Sequence, residues 1–277
     1  MRNDERRWWD VGFGGVMMLV DSHAHLNMYE AEELPGVLER ARAAGVGGVV
    51  VPATGPEDLD AVVWLVEGYP ARLAGAVGVH PHEAASLDDG VKARLAELLE
   101  RPGVVAVGEI GLDYHYMHSP REDQIRALAW QLDLAIDAGL PVILHNRESW
   151  EDMEPLLACR AGRLRGVCHS FSEGEAPTRR VVELGLFVGI SGMVTFRRAD
   201  NVRETVRAAG LENILVETDS PYLAPVPHRG KRNEPAWVAH VAAAVATELG
   251  VEPEEVARIT SASVRAVFGL AESWGVA

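Results

Sequence analysis

The sequence predicts an α/β fold, a TIM-type (β/α)8 barrel with a metal site at the carboxyl ends of its strands. Eight short apolar runs rich in β-branched residues occur along the chain, and segments with helical spacing of apolar residues separate them. Such runs are typical of strands buried on both faces of a parallel sheet. Strand and helix that alternate eight times close into a barrel of about 250 residues, and the chain has 277. Five of the runs lead into a histidine or a carboxylate.

The predicted strands and helices follow one another in regular order. Strands are predicted at residues 17–20, 46–51, 73–79, 104–107, 140–144, 164–168, 186–190 and 214–217. Helices are predicted between them at 33–44, 58–66, 91–99, 121–138, 149–159, 178–184 and 202–209. Several of these helices are followed by a glycine, which suits a left-handed C-cap: Gly45, Gly139, Gly185 and Gly210. Residues 234–270 predict one or two further helices packed outside the barrel.

A doubly wound open sheet is the alternative architecture. Such a sheet concentrates its site at one crevice between strands, whereas the polar residues here follow the first, fourth, fifth, sixth and eighth strands. Glycine and proline, 27 and 15 in number, are scattered and never form a linker. We therefore expect a single barrel domain over residues 17–277, with residues 1–16 as a disordered extension. The apolar stretch 11–20 resembles a signal peptide but lacks a small-x-small cleavage site and is too short to span a bilayer.

Charge and cysteine content indicate which partners and which cellular setting suit the protein. A formal net charge of −15 and a pI near 5.1 disfavour long footprints on duplex nucleic acid. A small phosphoester or a nucleic-acid end remains compatible with this charge. Two cysteines, Cys159 and Cys168, give no disulfide framework, so a reduced, cytoplasmic setting is expected. Neither a membrane association nor an obligate protein partner is indicated.

The residues that follow the strands are of metal-ligand type. His23 and His25 are two apart, so in extended backbone both reach one ion. Asp219 follows the eighth strand, the neighbour of the first in a closed barrel, and completes this group. HxH alone is a weak signal, and each of these residues also has an ordinary explanation as a loop or core side chain. Three further candidates follow the fourth, fifth and sixth strands: Glu109, His145 and His169.

Two ions organise this set. We expect His23, His25 and Asp219 to hold one ion and His145 and His169 the other, with Glu109 as the bridge. Two cations about 3.5–4 Å apart lower the pKa of a shared water and stabilise both oxygens of a reacting ester. Asp219 would accept the proton of that water, so Asp219 and Glu109 are the expected catalytic residues. Histidine-rich ligation favours Zn, Mn, Fe or Ni, with Mg as the alternative.

Five residues near the predicted mouth are candidates for substrate contact. His80, in GVHPH, would meet an oxyanion, while its neighbour His82 equally fits an exposed turn. Tyr114 would stack on a base or sugar, or else pack at the rim. The remaining three are basic residues that would bind phosphate: Arg147, Arg229 and Lys231. Solvated positions, or for Arg147 an ion pair with Glu148 or Glu151, are the alternatives.

Several motifs together resemble the TatD family of metal-dependent hydrolases, in the amidohydrolase-like superfamily. They are DSHAHL, GVHPH, GEIGLDY, SPREDQ, PVILHNRES, CHSFS, SGMVTF and ETDSPYLAPVPHRGKRNEP. The resemblance extends from about Met17 to Leu270. It implies a (β/α)8 barrel, a two-metal site formed by the residues named above, and deoxyribonuclease or phosphodiesterase activity, often as a 3'-5' exonuclease on single strands. Two departures are the first 16 residues and Ser263, where the family's TxxN pattern has asparagine.

Three hypotheses about function follow. The leading one is a metal-dependent phosphodiesterase of deoxyribonuclease type acting on nucleic-acid ends. The second is an amide or lactone hydrolase using the same metals, in which the basic residues are merely solvated. The third, a non-catalytic scaffold, is disfavoured because a full set of buried ligand side chains is costly without a metal.

Overall fold

Eight parallel strands form one sheet whose order is the order of the chain. The structure is a computed structural model that describes residues 18–276. The expectation of a disordered extension over residues 1–16 therefore lies outside the described residues. The strands are β1 (Leu19–Asp21), β2 (Val46–Pro52), β3 (Leu73–Val77), β4 (Val104–Asp113), β5 (Val142–Arg147), β6 (Gly166–Cys168), β7 (Phe187–Ile190) and β8 (Ile214–Val216).

The first and last strands meet, so that the sheet forms a nearly closed barrel. The Ser22 N–H donates to the carbonyl oxygen of Val216 at 3.1 Å, and an isolated parallel bridge joins Ala24 to Ser220. Asp21, at the end of β1, accepts from the backbone N–H and the hydroxyl of Thr218 at 2.9 and 2.6 Å. The predicted (β/α)8 fold is confirmed, and the open doubly wound sheet is wrong.

Nine helices surround the described strands. They are α1 (Leu34–Ala43), α2 (Leu59–Gly68), α3 (Asp89–Leu98), α4 (Arg121–Ala138), α5 (Trp150–Ala158), α6 (Glu175–Glu183), α7 (Asp200–Ala209), α8 (Val238–Leu249) and α9 (Pro253–Phe268). The long helix α4 ends at Gly139 in the left-handed conformation, as its sequence predicts. Among these helices, none has the length and apolar character needed to cross a membrane.

Two strands extend further than their apolar runs. The sequence predicts Glu109 and His145 just past their strands, but β4 continues to Asp113 and β5 to Arg147. The two extensions pair with each other, Gly111 opposite His145 and Asp113 opposite Arg147. The predicted ends of these two strands, residues 107 and 144, are therefore wrong, because both strands continue further. The physical reason is that the last residues of each strand line the barrel mouth and are polar. The apolar run in the sequence therefore stops before the strand does.

The last helix closes the amino end of the barrel. Inside the barrel, Val20, Val50, Ile143 and other strand residues pack with Val264, Val267, Phe268 and Trp274. The Val20 N–H donates to the Ser261 hydroxyl at 3.0 Å, which fixes α9 across the start of β1. The sequence predicts one or two helices in this region, and the structure has two, α8 and α9, of which α9 lies across the end of the barrel. With the amino end closed, the described strands open only at their carboxyl ends.

Candidate metal centre

Five histidines and two carboxylates meet at the carboxyl ends of the strands. His23 and His25 follow β1, His80 follows β3, His169 follows β6 and Asp219 lies three residues after β8. Glu109 and His145 project from β4 and β5. The group includes every residue that the sequence predicts as a metal ligand: His23, His25, Glu109, His145, His169 and Asp219. Combinations of three from this cluster have donor atoms within 4.8 Å of one another.

The first group is formed by His23, His25 and Asp219. The Nε2 atoms of the two histidines are 3.2 Å apart. The Oδ1 atom of Asp219 lies 3.7 Å from His23 Nε2 and 3.5 Å from His25 Nε2. Both histidines are buried, whereas the Asp219 side chain is 13% exposed. The carboxylate thus lies at the open edge of an otherwise enclosed group.

Glu109 turns its two oxygens in different directions. Oε2 lies 3.3 Å from His23 Nε2 and 3.7 Å from His25 Nε2. Oε1 lies 2.9 Å from His145 Nδ1 and 2.9 Å from His169 Nε2. The Glu109 carboxylate therefore faces both predicted groups: Oε2 faces the first group and Oε1 faces the second.

The second group includes one residue more than the sequence predicts. His145 Nδ1 and His169 Nε2 are 3.3 Å apart beside Glu109 Oε1. His80, predicted only as a substrate contact, places its Nε2 3.4 Å from the same oxygen. The two groups are also in direct contact, since the rings of His23 and His169 stack at 4.0 Å. The structure thus brings the two predicted groups into one continuous cluster.

The donor atoms fit divalent cations. A tetrahedral ion with ligands at about 2.0–2.1 Å separates its donors by about 3.4 Å, and the first group has separations of 3.2–3.7 Å. Imidazole nitrogens that face each other share either a proton or a cation, because two lone pairs alone repel. The Nδ1 atoms of His23 and His25 are buried without a hydrogen-bond partner among the described residues. The first group therefore faces inward with the Nε2 atoms of its histidines and a carboxylate oxygen, which are donors that a metal uses.

The carboxylates of the cluster are held ionised. Burial alone would raise the pKa of Glu109, but the imidazoles of His169, His80 and His23 outweigh burial and hold that pKa well below its ordinary value. Burial would likewise raise the pKa of Asp219, yet the hydrogen bond from His25 leads the effects that keep it lowered. The two buried carboxylates are therefore negatively charged, and the neighbouring imidazoles or a bound cation compensate that charge.

Two carboxylates that sequence reasoning missed support the histidines. Asp113 Oδ2 lies 3.1 Å from His145 Nε2 and 3.1 Å from His82 Nε2. Glu217 accepts from the Ser170 N–H at 2.6 Å, and its Oε1 lies 3.4 Å from His169 Nδ1. No separate signal in the sequence marks either of them, because Asp113 lies beyond the apolar run of its strand and Glu217 follows the end of β8.

The other predicted substrate residues lie around the mouth. The Tyr114 hydroxyl donates to Asp152 at 2.5 Å, so it is already engaged. Arg147 lies over the Tyr116 ring at 4.7 Å and Arg229 over the Phe196 ring at 4.2 Å. Lys231 is exposed. Within residues 18–276, none of the three basic residues forms an ion pair, and the one expected between Arg147 and Glu148 or Glu151 does not occur.

Known proteins are similar to this chain in sequence and in fold. A family model described as "TatD related DNase" matches residues 20–269. An "Uncharacterized metal-dependent hydrolase TatD" from Mycobacterium tuberculosis is 38% identical over 91% of this chain and 98% of its own. A "3'-5' ssDNA/RNA exonuclease TatD" from Klebsiella pneumoniae is 36% identical over 84% of this chain and 91% of its own. The solved structure of "YJJV, TATD Homolog from Escherichia coli k12" has a TM-score of 0.86 and 33% identity, covering 91% of this chain and 98% of that one.

Proposed function

The chain belongs to the TatD family of metal-dependent hydrolases, and from this membership and the geometry of its metal centre we propose that it is a deoxyribonuclease that shortens single strands from their 3' ends. The observation that carries the proposal is the position of Glu109, with one oxygen toward each group of histidines. Relatives named as 3'-5' ssDNA/RNA exonucleases support the substrate and the direction.

The proposed metal ligands form two sets within the continuous cluster. His23, His25 and Asp219 would hold one divalent ion and His145 and His169 the other, with one oxygen of Glu109 facing each set. Zn²⁺, Mn²⁺, Fe²⁺ or Ni²⁺ suits the histidine-rich set, with Mg²⁺ as the alternative. When bound, such ions lower the pKa of a water molecule and neutralise the charge of the reacting ester oxygens.

Asp219 is the proposed general base. Its backbone is left-handed, with φ of 56°, a conformation that aspartate tolerates better than most residues. The Asp219 N–H donates to the His23 carbonyl at 2.9 Å, and the Asp219 carbonyl accepts from the Tyr222 N–H at 2.8 Å. These bonds fix the direction of the carboxylate. Because the side chain is ionised and partly exposed, its oxygen can take the proton of an attacking water.

The residues around the cluster suit a phosphodiester. Burial lowers the pKa of His80 to about 4, so its ring is neutral near pH 7. Its Nδ1 atom accepts from the His82 N–H, and we assign its Nε2 edge, beside Glu109, to contact with a substrate oxygen. Arg147, at the end of β5, and Arg229 and Lys231, on the loop after β8, are exposed cations of this face, and we assign them to phosphate contacts. The role left to Tyr114 is stacking by its ring. Under the alternative of an amide or lactone hydrolase, these cations would be solvated.

The setting and the partner follow from charge and redox state. Cys159 and Cys168 are both free thiols, so we place the protein in a reducing compartment, the cytoplasm. Its net charge of −15 repels long polyanions. We therefore propose nucleic-acid ends or small phosphoesters as substrates rather than internal duplex sites.

A panel of substrates tests the proposal. Protein loaded with Mn²⁺ or Zn²⁺ is incubated with a single-stranded oligonucleotide labelled at its 5' end, with bis-p-nitrophenyl phosphate, and with N-acyl amino acids and lactones. We expect the oligonucleotide to shorten stepwise from its 3' end and the phosphodiester to be hydrolysed. The chelated protein is the control and should be inactive. Turnover confined to amides or lactones would overturn the proposal.

A further inference from the structure

A basic cavity lies beside the metal centre on the same face of the barrel. Its volume is about 570 Å³. It is formed by the loops that follow β6, β7 and β8, and by the start of α7. Its polar lining residues are Ser172, Arg197, Arg198, Asn201 and Arg229. None of its lining residues is acidic, although acidic residues outnumber basic ones by 41 to 26 in the chain as a whole.

The three arginines of this cavity are available to a ligand. Arg197, Arg198 and Arg229 are exposed, and among residues 18–276 no carboxylate pairs with any of them. Arg229 lies over the Phe196 ring at 4.2 Å, and a guanidinium that stacks on a ring keeps its edge N–H groups for a ligand. Asp200, the acidic residue next to the cavity, is paired with Arg203 at 2.5 Å. The cavity therefore presents unneutralised positive charge.

Backbone contacts hold the cavity in shape. The Asn201 side chain donates to the Ser172 carbonyl at 2.6 Å and so joins α7 to the loop after β6. Arg203 donates to the Phe196 carbonyl at 2.9 Å. The Val226 N–H donates to the Thr195 hydroxyl at 2.9 Å, which joins the loop after β8 to the loop after β7. The arginines thus lie on loops that hydrogen bonds hold together.

The cavity on the other side of β6 has the opposite charge. It has a volume of about 660 Å³ and lies between the loops that follow β4, β5 and β6. Its acidic lining residues are Glu148, Glu151, Asp152 and Glu173. The one basic residue that lines it, Arg121, is paired with Asp152 at 2.5 Å. The mouth of the barrel is therefore basic on the β7–β8 side and acidic on the β4–β5 side.

We propose that the arginine cavity binds the phosphodiester backbone of a single strand whose end is in the metal centre. This inference rests on the proposed nuclease function and deepens it. Arg197, Arg198 and Arg229 contact phosphates upstream of the scissile bond, so the strand leaves the centre over β7 and β8. The acidic cavity disfavours a long backbone path on the other side, where Tyr114 and Arg147 are left to contact only the nucleotides nearest the centre. None of these contacts reaches the reacting bond.

Binding of an oligonucleotide by the chelated protein tests the cavity without catalysis. Fluorescence anisotropy is measured with a labelled 12-nucleotide single strand for wild type and for the double variant Arg197→Ala/Arg198→Ala. We expect Kd to rise about tenfold and the salt slope of log K to fall by about 1.4, since a single strand releases about 0.7 counterions per neutralised phosphate. The control, Arg126→Ala/Arg179→Ala, removes the same charge from exposed residues of α4 and α6 and should bind as wild type does.

Turnover of substrates of different length is the second measurement. With metal-loaded enzyme, the double variant should show a higher KM for a 12-nucleotide strand and an unchanged KM for bis-p-nitrophenyl phosphate, which is too small to reach the cavity. Equal Kd, salt slope and KM in the double variant and the control would overturn the cavity proposal. An equal rise in KM for the small ester would also overturn it. Failure of the wild-type enzyme to cleave any phosphodiester would overturn the proposed function instead. The anisotropy measurement needs no cleavage, so it would still test whether the cavity binds a single strand.

Discussion

At the scale of single residues, the metal centre depends on a buried carboxylate that stays ionised. Glu109 is 2% exposed, and an isolated buried carboxylate is costly by several kcal/mol. Its negative charge is stable because His23, His145 and His169 surround both oxygens at 2.9–3.3 Å. The same arrangement makes the centre dependent on the residues that orient the histidines. Asp113 is the clearest of these, because its Oδ2 atom lies 3.1 Å from His145 Nε2.

Replacing Asp113 should weaken the metal centre without removing a proposed ligand. In Asp113→Asn the negative partner of His145 is lost while the shape of the side chain is kept. We expect the affinity for Zn²⁺ to fall 10- to 100-fold, the usual cost of losing a group that orients a metal-binding histidine. Competition with a chromophoric chelator measures it. Asp152→Asn is the matched control, because Asp152 holds Tyr114 and Arg121 instead of a histidine. Equal affinity in wild type and Asp113→Asn would contradict the prediction.

The sequence predicts the residues that meet at the centre but not those that hold them. His23, His25 and Asp219 stand out because ligand-type side chains follow apolar runs. Asp113 and Glu217 do not stand out, since a carboxylate behind a ligand looks like any polar residue near a loop. Arg197 and Arg198 were missed because the cavity that gives them meaning is built from three loops. Such residues become visible only when distant loops are brought together.

At the scale of elements, strand β4 shows why predicted boundaries were short. The apolar run predicts residues 104–107, but the strand continues to Asp113. Its extension contains Glu109 and Asp113, which face the cluster and are polar for that reason. An apolar run therefore predicts only the part of a strand that lies in the core, and it does not include the part that lines a site. The helices have no such functional extension, and α4 matches its predicted range of 121–138.

The closed amino end of the barrel depends on a strand residue without a side chain. A Cβ atom on Gly48 of β2 would lie 2.4 Å from the Trp274 ring. We expect Gly48→Ala to lower the free energy of unfolding by about 1–3 kcal/mol, the usual cost of overpacking a core. Urea unfolding of the chelated protein measures it. Gly68→Ala is the control, because no atom lies within 4 Å of the Cβ position at the end of α2. Unchanged stability of Gly48→Ala would show that α9 and Trp274 do not seal the barrel.

At the scale of the whole molecule, the barrel collects ligands from distant parts of the chain. His23 and Asp219 are 196 positions apart in sequence, yet their donor atoms are 3.7 Å apart. A site assembled in this way exists only in the folded protein. Metal binding must therefore stabilise the fold as a whole.

Metal loading should raise the melting temperature. At a free metal concentration of 100 Kd the native state gains about 2.7 kcal/mol, which for a chain of this size corresponds to a Tm about 5 °C higher. Differential scanning fluorimetry of chelated and Mn²⁺- or Zn²⁺-loaded protein measures the shift. His228→Ala, which removes an imidazole stacked on Trp237 outside the cluster, should keep it. A Tm that is independent of metal would argue against a metal centre in the barrel.

The order of elements was predictable because every strand is apolar and every crossover carries a helix. The distribution of charge was not, because the net charge of −15 says nothing about where the exposed arginines lie. The structure places acidic residues around one cavity and arginines around its neighbour. The sequence thus indicates the chemistry of the centre, while the path of a substrate toward it requires the folded loops.

The central claim is that two divalent ions on either side of Glu109 carry phosphodiester hydrolysis. Titration of the chelated protein with Mn²⁺ or Zn²⁺, with bound metal and the rate of shortening of a labelled single strand measured at each step, tests it most directly. We predict that the rate saturates at two ions per chain, and that Glu109→Ala, still folded by circular dichroism, shortens no strand. Full activity at one ion per chain, or in Glu109→Ala, would contradict the account.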